Sequence, residues 1–253
     1  MVNNDIIHVL NRNIDYLYNS YEEFYNLILL LENKGNVYYF GGALRDYLMD
    51  KTPKDIDIIT DVDLKAIERS FSKYIKYKNI FHGYSLNIKS LQVDLWNIKN
   101  TWGFKNSNLD PEFKNIPYTV FFNINSIIYN KRDCNLMYSN VFLKGIKDKK
   151  LMIILDKNPL PTLCILRSLI YFLRYEMILD ENLIQYIKNW NNKSHSYDDI
   201  INLQLIRYGR VILDRNICQK LLEGICNNSI ICYQDFYKQY SYTCQFLNKA
   251  LDN

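Results

Sequence analysis

Residues 40–61, FGGALRDYLMDKTPKDIDIITD, constrain this chain more than any other stretch. Within it, DIDIIT (55–60) has the Ile content of a well-buried strand, yet Asp55 and Asp57 stand two apart inside it. Residues i and i+2 of a strand point to one face, so both carboxylates project together. Two carboxylates a few ångströms apart repel unless a cation lies between them. Mg²⁺ takes hard oxygen ligands of this kind and keeps places for substrate phosphates. A solvent-facing strand edge is the plain alternative, and Ile56, Ile58 and Ile59 argue against it.

The same stretch opens with Gly41-Gly42, in a chain that has only 8 Gly. The pair lies between a strand-like VYYF (37–40) and a helix-like ALRDYLM. Glycines at a strand-to-helix turn let anion oxygens approach backbone N–H groups, and the helix start adds its positive end. Arg45, one turn in, and Lys54 supply positive charge. A simple tight turn explains the glycines equally well, so the carboxylates carry the argument. A third carboxylate, Asp94, sits between Val93 and Leu95 in the alternating run LQVDLWNI (91–98). A lone Asp amid apolar neighbours needs a partner or a metal. An ion pair with a nearby lysine is the plain alternative.

Around this stretch the periodicity divides the chain. Residues 4–33 carry apolar positions at helical spacing, as two helices or one bent one, ending at Lys34-Gly35-Asn36. A helix is expected over roughly 63–74, capped by Asp61 or Asp63. SLNIK (85–89) and LQVDLWNI read as strands, 99–117 as a long polar loop, and TVFFNI, SIIYN and NLMYS as short β-rich runs. From about 160 the pattern turns helical, over 161–176, 180–191, 198–210, 214–226 and 232–249. The expected layout is α+β: a mixed-sheet head over 1–158 with N-terminal helices, then an all-helical neck over 159–253.

Apolar residues make up 48%, enough for a core, and the net charge of +4 permits an anionic ligand without demanding one. The basic runs KYIKYKN (73–79) and KGIKDKK (144–150) read as solvated surface or as phosphate-backbone contacts. Trp96 reads as core, and Trp102 as core or base-stacking. Six cysteines lack metal spacing and read as buried thiols of a reducing, cytoplasmic setting. No apolar run is long enough to span a bilayer, and the N-terminus does not read as a signal peptide. His8, His82 and His195 read as incidental.

On Gly41, Gly42, Arg45, Asp46, Pro53, Asp55, Asp57 and Thr60 the sequence resembles the signature of class II tRNA CCA-adding enzymes and bacterial poly(A) polymerases, of the DNA polymerase β nucleotidyltransferase superfamily. The resemblance implies a polymerase-β-like head in which Asp55, Asp57 and Asp94 hold Mg²⁺ or Mn²⁺. It implies that Gly41, Gly42, Arg45 and Lys54 face the triphosphate, while Asp46 orients Arg45 or reaches the nucleotide. The implied partners are a nucleoside triphosphate and tRNA or another RNA, with a protein as a further acceptor or partner and no membrane.

Two departures bear on that expectation. The family's ribose-contacting Arg-Arg-Asp-Phe-Thr-Ile-Asn run aligns with TVFFNIN (119–125), which keeps Phe122, Ile124 and Asn125 but neither arginine nor the aspartate. Its base-reading Glu-Asp-x-x-Arg run aligns with LPTLC (160–164), where Leu160, Pro161 and Cys164 replace every charged reader. The expected activity is metal-dependent transfer of a nucleotidyl group to a hydroxyl on RNA, protein or a small molecule, with pyrophosphate released and without the CCA-type base reader. The alternative is a catalytically degenerate relative that binds a nucleotide or a partner protein.

Overall fold

The structure is a computed structural model that describes residues 3–79, 82–193 and 197–252. The chain divides into two compact units, Met1–Phe142 and Leu143–Asn253. In sequence the first unit runs α1 (Asn3–Ser20), α2 (Glu22–Glu32), β1 (Val37–Phe40), α3 (Gly42–Leu48), β2 (Asp55–Thr60), α4 (Lys65–Phe71), β3 (Ile75–Lys78), β4 (Tyr84–Ile88), β5 (Leu91–Asn97), α5 (Trp102–Lys105), β6 (Ile127–Asn130) and β7 (Asn135–Tyr138). These strands form one seven-stranded sheet in the order β3-β4-β5-β2-β1-β6-β7. Only β2 and β5 pair in parallel, which makes the sheet mixed.

Alternation along each strand gives the sheet two different faces. One face carries Tyr39, Ile56, Ile58, Val93 and Leu95, all buried. It is covered by helices: the Phe24 ring of α2 meets Tyr39 edge-on at 6.4 Å. The Tyr39 hydroxyl donates to Tyr18 of α1 at 2.8 Å. Ile6, Leu10, Ile14 and Leu17 form the buried stripe of α1, at the helical spacing the sequence displays.

The opposite face carries Tyr38, Phe40, Asp55, Asp57, Ile59, Asp94, Trp96 and Ile128. The segment expected to be a polar loop covers its apolar part. Residues 98–118 fold into α5 and two 3₁₀ turns. Ile98 and Ile116 join Tyr38, Ile59 and Ile128 in one buried cluster, with Phe104 and Phe113 packed against it. Four apolar residues in a segment otherwise rich in Asn, Asp and Lys suffice to seat it.

One strand went unannounced in the sequence, and one strand reading needs correction. KYIKYKN forms β3, the outer strand of the sheet, with Lys76 and Lys78 exposed. Lysines on an edge strand discourage pairing with another chain. TVFFNI is not a strand: Phe121 and Phe122 are buried in a bend before a 3₁₀ turn at Asn123–Asn125.

In the second unit α6 (Phe142–Lys147) straddles the division, followed by β8 (Lys150–Leu151), α7 (Pro161–Arg174), β9 (Ile178–Leu179), α8 (Glu181–Asn191), α9 (Tyr197–Tyr208), α10 (Arg215–Cys226) and α11 (Tyr233–Asp252). The division falls at 142/143, where the sequence suggested 158/159. The reason is β8, which pairs in parallel with β9 and so takes its partner from beyond α7. Asp180 and Asp214 cap α8 and α10 through their side chains. Buried Gln204 fastens the α9–α10 link: its Oε1 accepts from Ile212 and Leu213 N–H, and its Nε2 donates to the Leu213 carbonyl. Among the described residues no helix is long and apolar enough to cross a membrane.

Candidate functional site

The site begins where β1 ends. Gly41 has φ +60 and ψ −112, a conformation that side-chain-bearing residues rarely adopt. Its N–H donates to the Ile127 carbonyl at 2.9 Å. Through that bond Gly41 ties the turn to β6, and Gly42 opens α3.

Arg45 is buried, 5% exposed, and Asp46 beside it is 2% exposed. The Arg45 Nε and Nη2 atoms reach Asp46 Oδ1 at 2.9 and 2.8 Å. Nη1 donates to Asn125 Oδ1 at 2.6 Å. Asp46 therefore orients Arg45, the first of its two expected roles. Asn125, retained in TVFFNIN, joins α3 to the 3₁₀ turn at 123–125. Sequence reasoning noted Asn125 but gave it no role, because its partner lies 80 positions away.

The carboxylates follow from register. Asp57 pairs with Asp94 across the parallel β2–β5 ladder, and Asp55 pairs with Gln92. Registered residues share a face, and adjacent strands lie about 4.8 Å apart. All three aspartates therefore lie on the face opposite the one that α1 and α2 cover, and all three are half-buried. Among the described residues, no group of three His, Cys, Asp or Glu side chains is drawn together tightly enough to hold an ion as it stands. The donor set itself, three carboxylates on one face, is of the hard-oxygen kind that Mg²⁺ or Mn²⁺ takes. Lys54 is exposed, immediately before Asp55. Trp96 packs edge-on against Phe40 at 5.6 Å and donates its N–H to Thr101, in keeping with a core role. Trp102 opens α5, half-buried.

The residues aligned with the family's base reader lie at the start of α7. Leu160 precedes the helix and is 43% exposed, Pro161 is its first residue, and Cys164 is buried. Burial pushes the Cys164 thiol up to about 12. A cleft of about 460 Å³ in the second unit is lined by Pro159, Leu160, Pro161, Asp199, Asn202 and Ile206. All six cysteines are free thiols, and Cys134 is exposed against the expectation of burial. In KGIKDKK, Lys149 pairs with Glu176 at 2.7 Å and Lys150 with Asp180 at 2.9 Å. Those pairs favour the surface reading of that run. His8 and His82 are exposed, and His195 lies outside the described residues.

Residues 37–105, which hold the Gly pair and all three aspartates, match the family described as the poly A polymerase head domain. Over most of its length the chain shares a fold with solved CCA-adding enzymes. A CCA-adding enzyme solved with CTP is 19% identical, with a TM-score of 0.58 over 80% of this chain and 51% of that one. The Thermotoga maritima CCA-adding enzyme complexed with tRNA is also 19% identical, with a TM-score of 0.56 over 80% and 51%. A tRNA nucleotidyltransferase complexed with a primer tRNA and an incoming ATP analogue is 18% identical, with a TM-score of 0.55 over 76% and 57%. This chain thus spans about half the length of those enzymes. No curated protein matches it in sequence.

Proposed function

We propose that this chain transfers a nucleotidyl group from a nucleoside triphosphate to a hydroxyl at an RNA 3′ end, releasing pyrophosphate, without the base selection of CCA synthesis. The single observation that carries the reading is the register of β2 and β5, which sets Asp57 beside Asp94 on the face that also bears Asp55. Asp55, Asp57 and Asp94 are the residues that would hold Mg²⁺ or Mn²⁺. When bound, the ions would activate the attacking hydroxyl and neutralise charge on the triphosphate.

The chain's own groups supply positioning. Gly42 keeps side-chain bulk away from the start of α3. Arg45, steered by Asp46 and Asn125, is the cation behind that turn. Lys54 adds charge at the exposed side. Together they favour the triphosphate over the base, because nothing in this set matches a base edge. The helix start that would read the base offers Leu160, Pro161 and a buried thiol. These side chains can exclude or stack on a base but cannot pair with a Watson–Crick edge. Discrimination by hydrogen bonding is the strong kind, so its loss predicts relaxed or altered base choice. A cytoplasmic setting suits six free thiols.

A second reading, nucleotide or partner binding without catalysis, draws on the charged ribose- and base-contacting residues that TVFFNIN (119–125) and LPTLC (160–164) lack. One experiment separates the two. The protein is incubated with each α-labelled nucleoside triphosphate, Mg²⁺ or Mn²⁺ and total RNA. Label entering RNA in the wild type and lost in Asp57→Asn supports transfer. Binding of nucleotide with no label transferred to RNA supports the second reading.

A further inference from the structure

We propose that Ser85 is a positioning residue, whose hydroxyl donates to the Asp94 carboxylate and holds it toward the divalent ion shared with Asp55 and Asp57. This rests on the metal-dependent reading above and adds a residue that the sequence resemblance does not supply.

The starting observation is an orphan. Ser85 is 2% exposed, and its Oγ has no hydrogen-bond partner. Buried hydroxyls normally find partners, and one that has none calls for an explanation. Its place in the sheet supplies one. Ser85 on β4 is registered with Asp94 on β5, and Asp94 with Asp57 on β2. Phe40 on β1 completes the row on the far side of Asp57. The hydroxyl therefore sits at the end of the carboxylate row, on the same face.

The spacing suits a bond. Ile88 and Leu91 flank the two-residue Lys89-Ser90 turn, so theirs is the first hydrogen-bonded pair of the hairpin. Such pairs alternate with closer, non-hydrogen-bonded ones, and Ser85–Asp94 falls on the close kind, with Cα atoms about 4.5 Å apart. A seryl hydroxyl reaches a neighbouring carboxylate across that gap by side-chain rotation alone. Three β5 side chains on this face are level with or diagonal to Ser85: Gln92, Asp94 and Trp96. The Trp96 N–H is already bonded to Thr101, and Asp94 alone is anionic, hence the strongest acceptor. The direction also fits, since a hydroxyl donates and an ionised carboxylate only accepts.

A group that orients a metal-binding carboxylate typically sets affinity by 10–100-fold. The test is Mn²⁺ binding to the full chain without nucleotide, followed by electron paramagnetic resonance, alongside thermal melting of the metal-free protein. Ser85→Ala is expected to weaken Mn²⁺ binding by about tenfold or more. It should leave the metal-free melting temperature close to that of the wild type, because the bond to Asp94 is proposed for the ion-bound state and without an ion the Oγ has no hydrogen-bond partner. Ser85→Thr keeps the hydroxyl and should restore the affinity. If Asp94→Asn loses Mn²⁺ while Ser85→Ala binds it as the wild type does, the role of Ser85 is overturned and the metal site stands. A Ser85→Ala that melts early, with weak binding that Ser85→Thr does not restore, marks a packing role and also overturns it. If the wild type binds no Mn²⁺, or Asp94→Asn binds it unchanged, the metal reading falls and the Ser85 proposal with it.

Discussion

Asp46→Ala is the perturbation whose size follows most directly from the structure. The Arg45 and Asp46 side chains are 6% and 3% exposed, and two guanidinium nitrogens converge on one carboxylate oxygen. Removing one member of a buried ion pair leaves the other charge desolvated and uncompensated, a loss of about 3–5 kcal/mol. Asn125 would remain as an acceptor at 2.6 Å, which places the expectation at the lower end, about 3 kcal/mol. For a unit of this size that corresponds to a fall in Tm of about 10 °C. The assay is thermal and urea unfolding of the full chain followed by circular dichroism. The companion variant, Arg45→Met with Asp46→Leu, removes both charges and should recover much of the loss, since replacing a buried pair by apolar groups is often close to neutral. The reasoning fails if Asp46→Ala lies within about 0.5 kcal/mol of wild type. It fails equally if the double variant is as damaged as the two single changes summed, because then the side chains are not coupled.

Other outcomes follow from single sites. Arg45→Ala should weaken binding of all four nucleoside triphosphates alike in equilibrium titrations, and a loss confined to one base would refute a phosphate-facing role. Gly103→Ala would put a Cβ 2.4 Å from the Thr119 Cβ and 2.5 Å from its carbonyl oxygen, so it should destabilise by about 1–3 kcal/mol in urea unfolding. The backbone N–H groups of Cys232 and Ile231 hold the Asp235 carboxyl below its ordinary value. A depressed folded-state pKa stabilises above the unfolded value, about 3.9, and that contribution disappears as pH falls through the folded value. Asp235→Asn should therefore flatten the acid limb of the stability curve and leave its slope near neutrality alone. Burial pushes Cys164 and Cys218 up to about 12, so mass spectrometry after iodoacetamide at pH 8 should find exposed Cys134 alkylated and those two intact.

Local patterns announced the centre of the head. VYYF, the Gly pair and DIDIIT became β1, the turn and β2, because strand alternation and a strained glycine act over a few residues. The shared face of Asp55 and Asp57 followed from the same two-residue period. The neighbour of Asp57 did not. That β5 runs parallel beside β2, with Asp94 level with Asp57 and Ser85 level with Asp94, is a long-range register that no local pattern encodes. The same limit hid the Arg45–Asn125 bond and the role of Ile98 and Ile116 in roofing the sheet. β3 escaped notice because an edge strand with lysines outward looks like solvated surface. The unit boundary was displaced because the partner of β8 lies beyond α7.

The central claim is nucleotidyl transfer without ordered base reading, and a tRNA lacking its 3′ CCA tests it most directly. The protein is given that tRNA with CTP and ATP together, and the extended 3′ ends are sequenced. The account predicts extension that requires Asp55, Asp57 and Asp94 and that departs from two C and one A, in sequence or in the point at which it stops. Faithful addition of C, C and A followed by a stop would contradict it. That result would show that groups other than Leu160, Pro161 and Cys164 read the base.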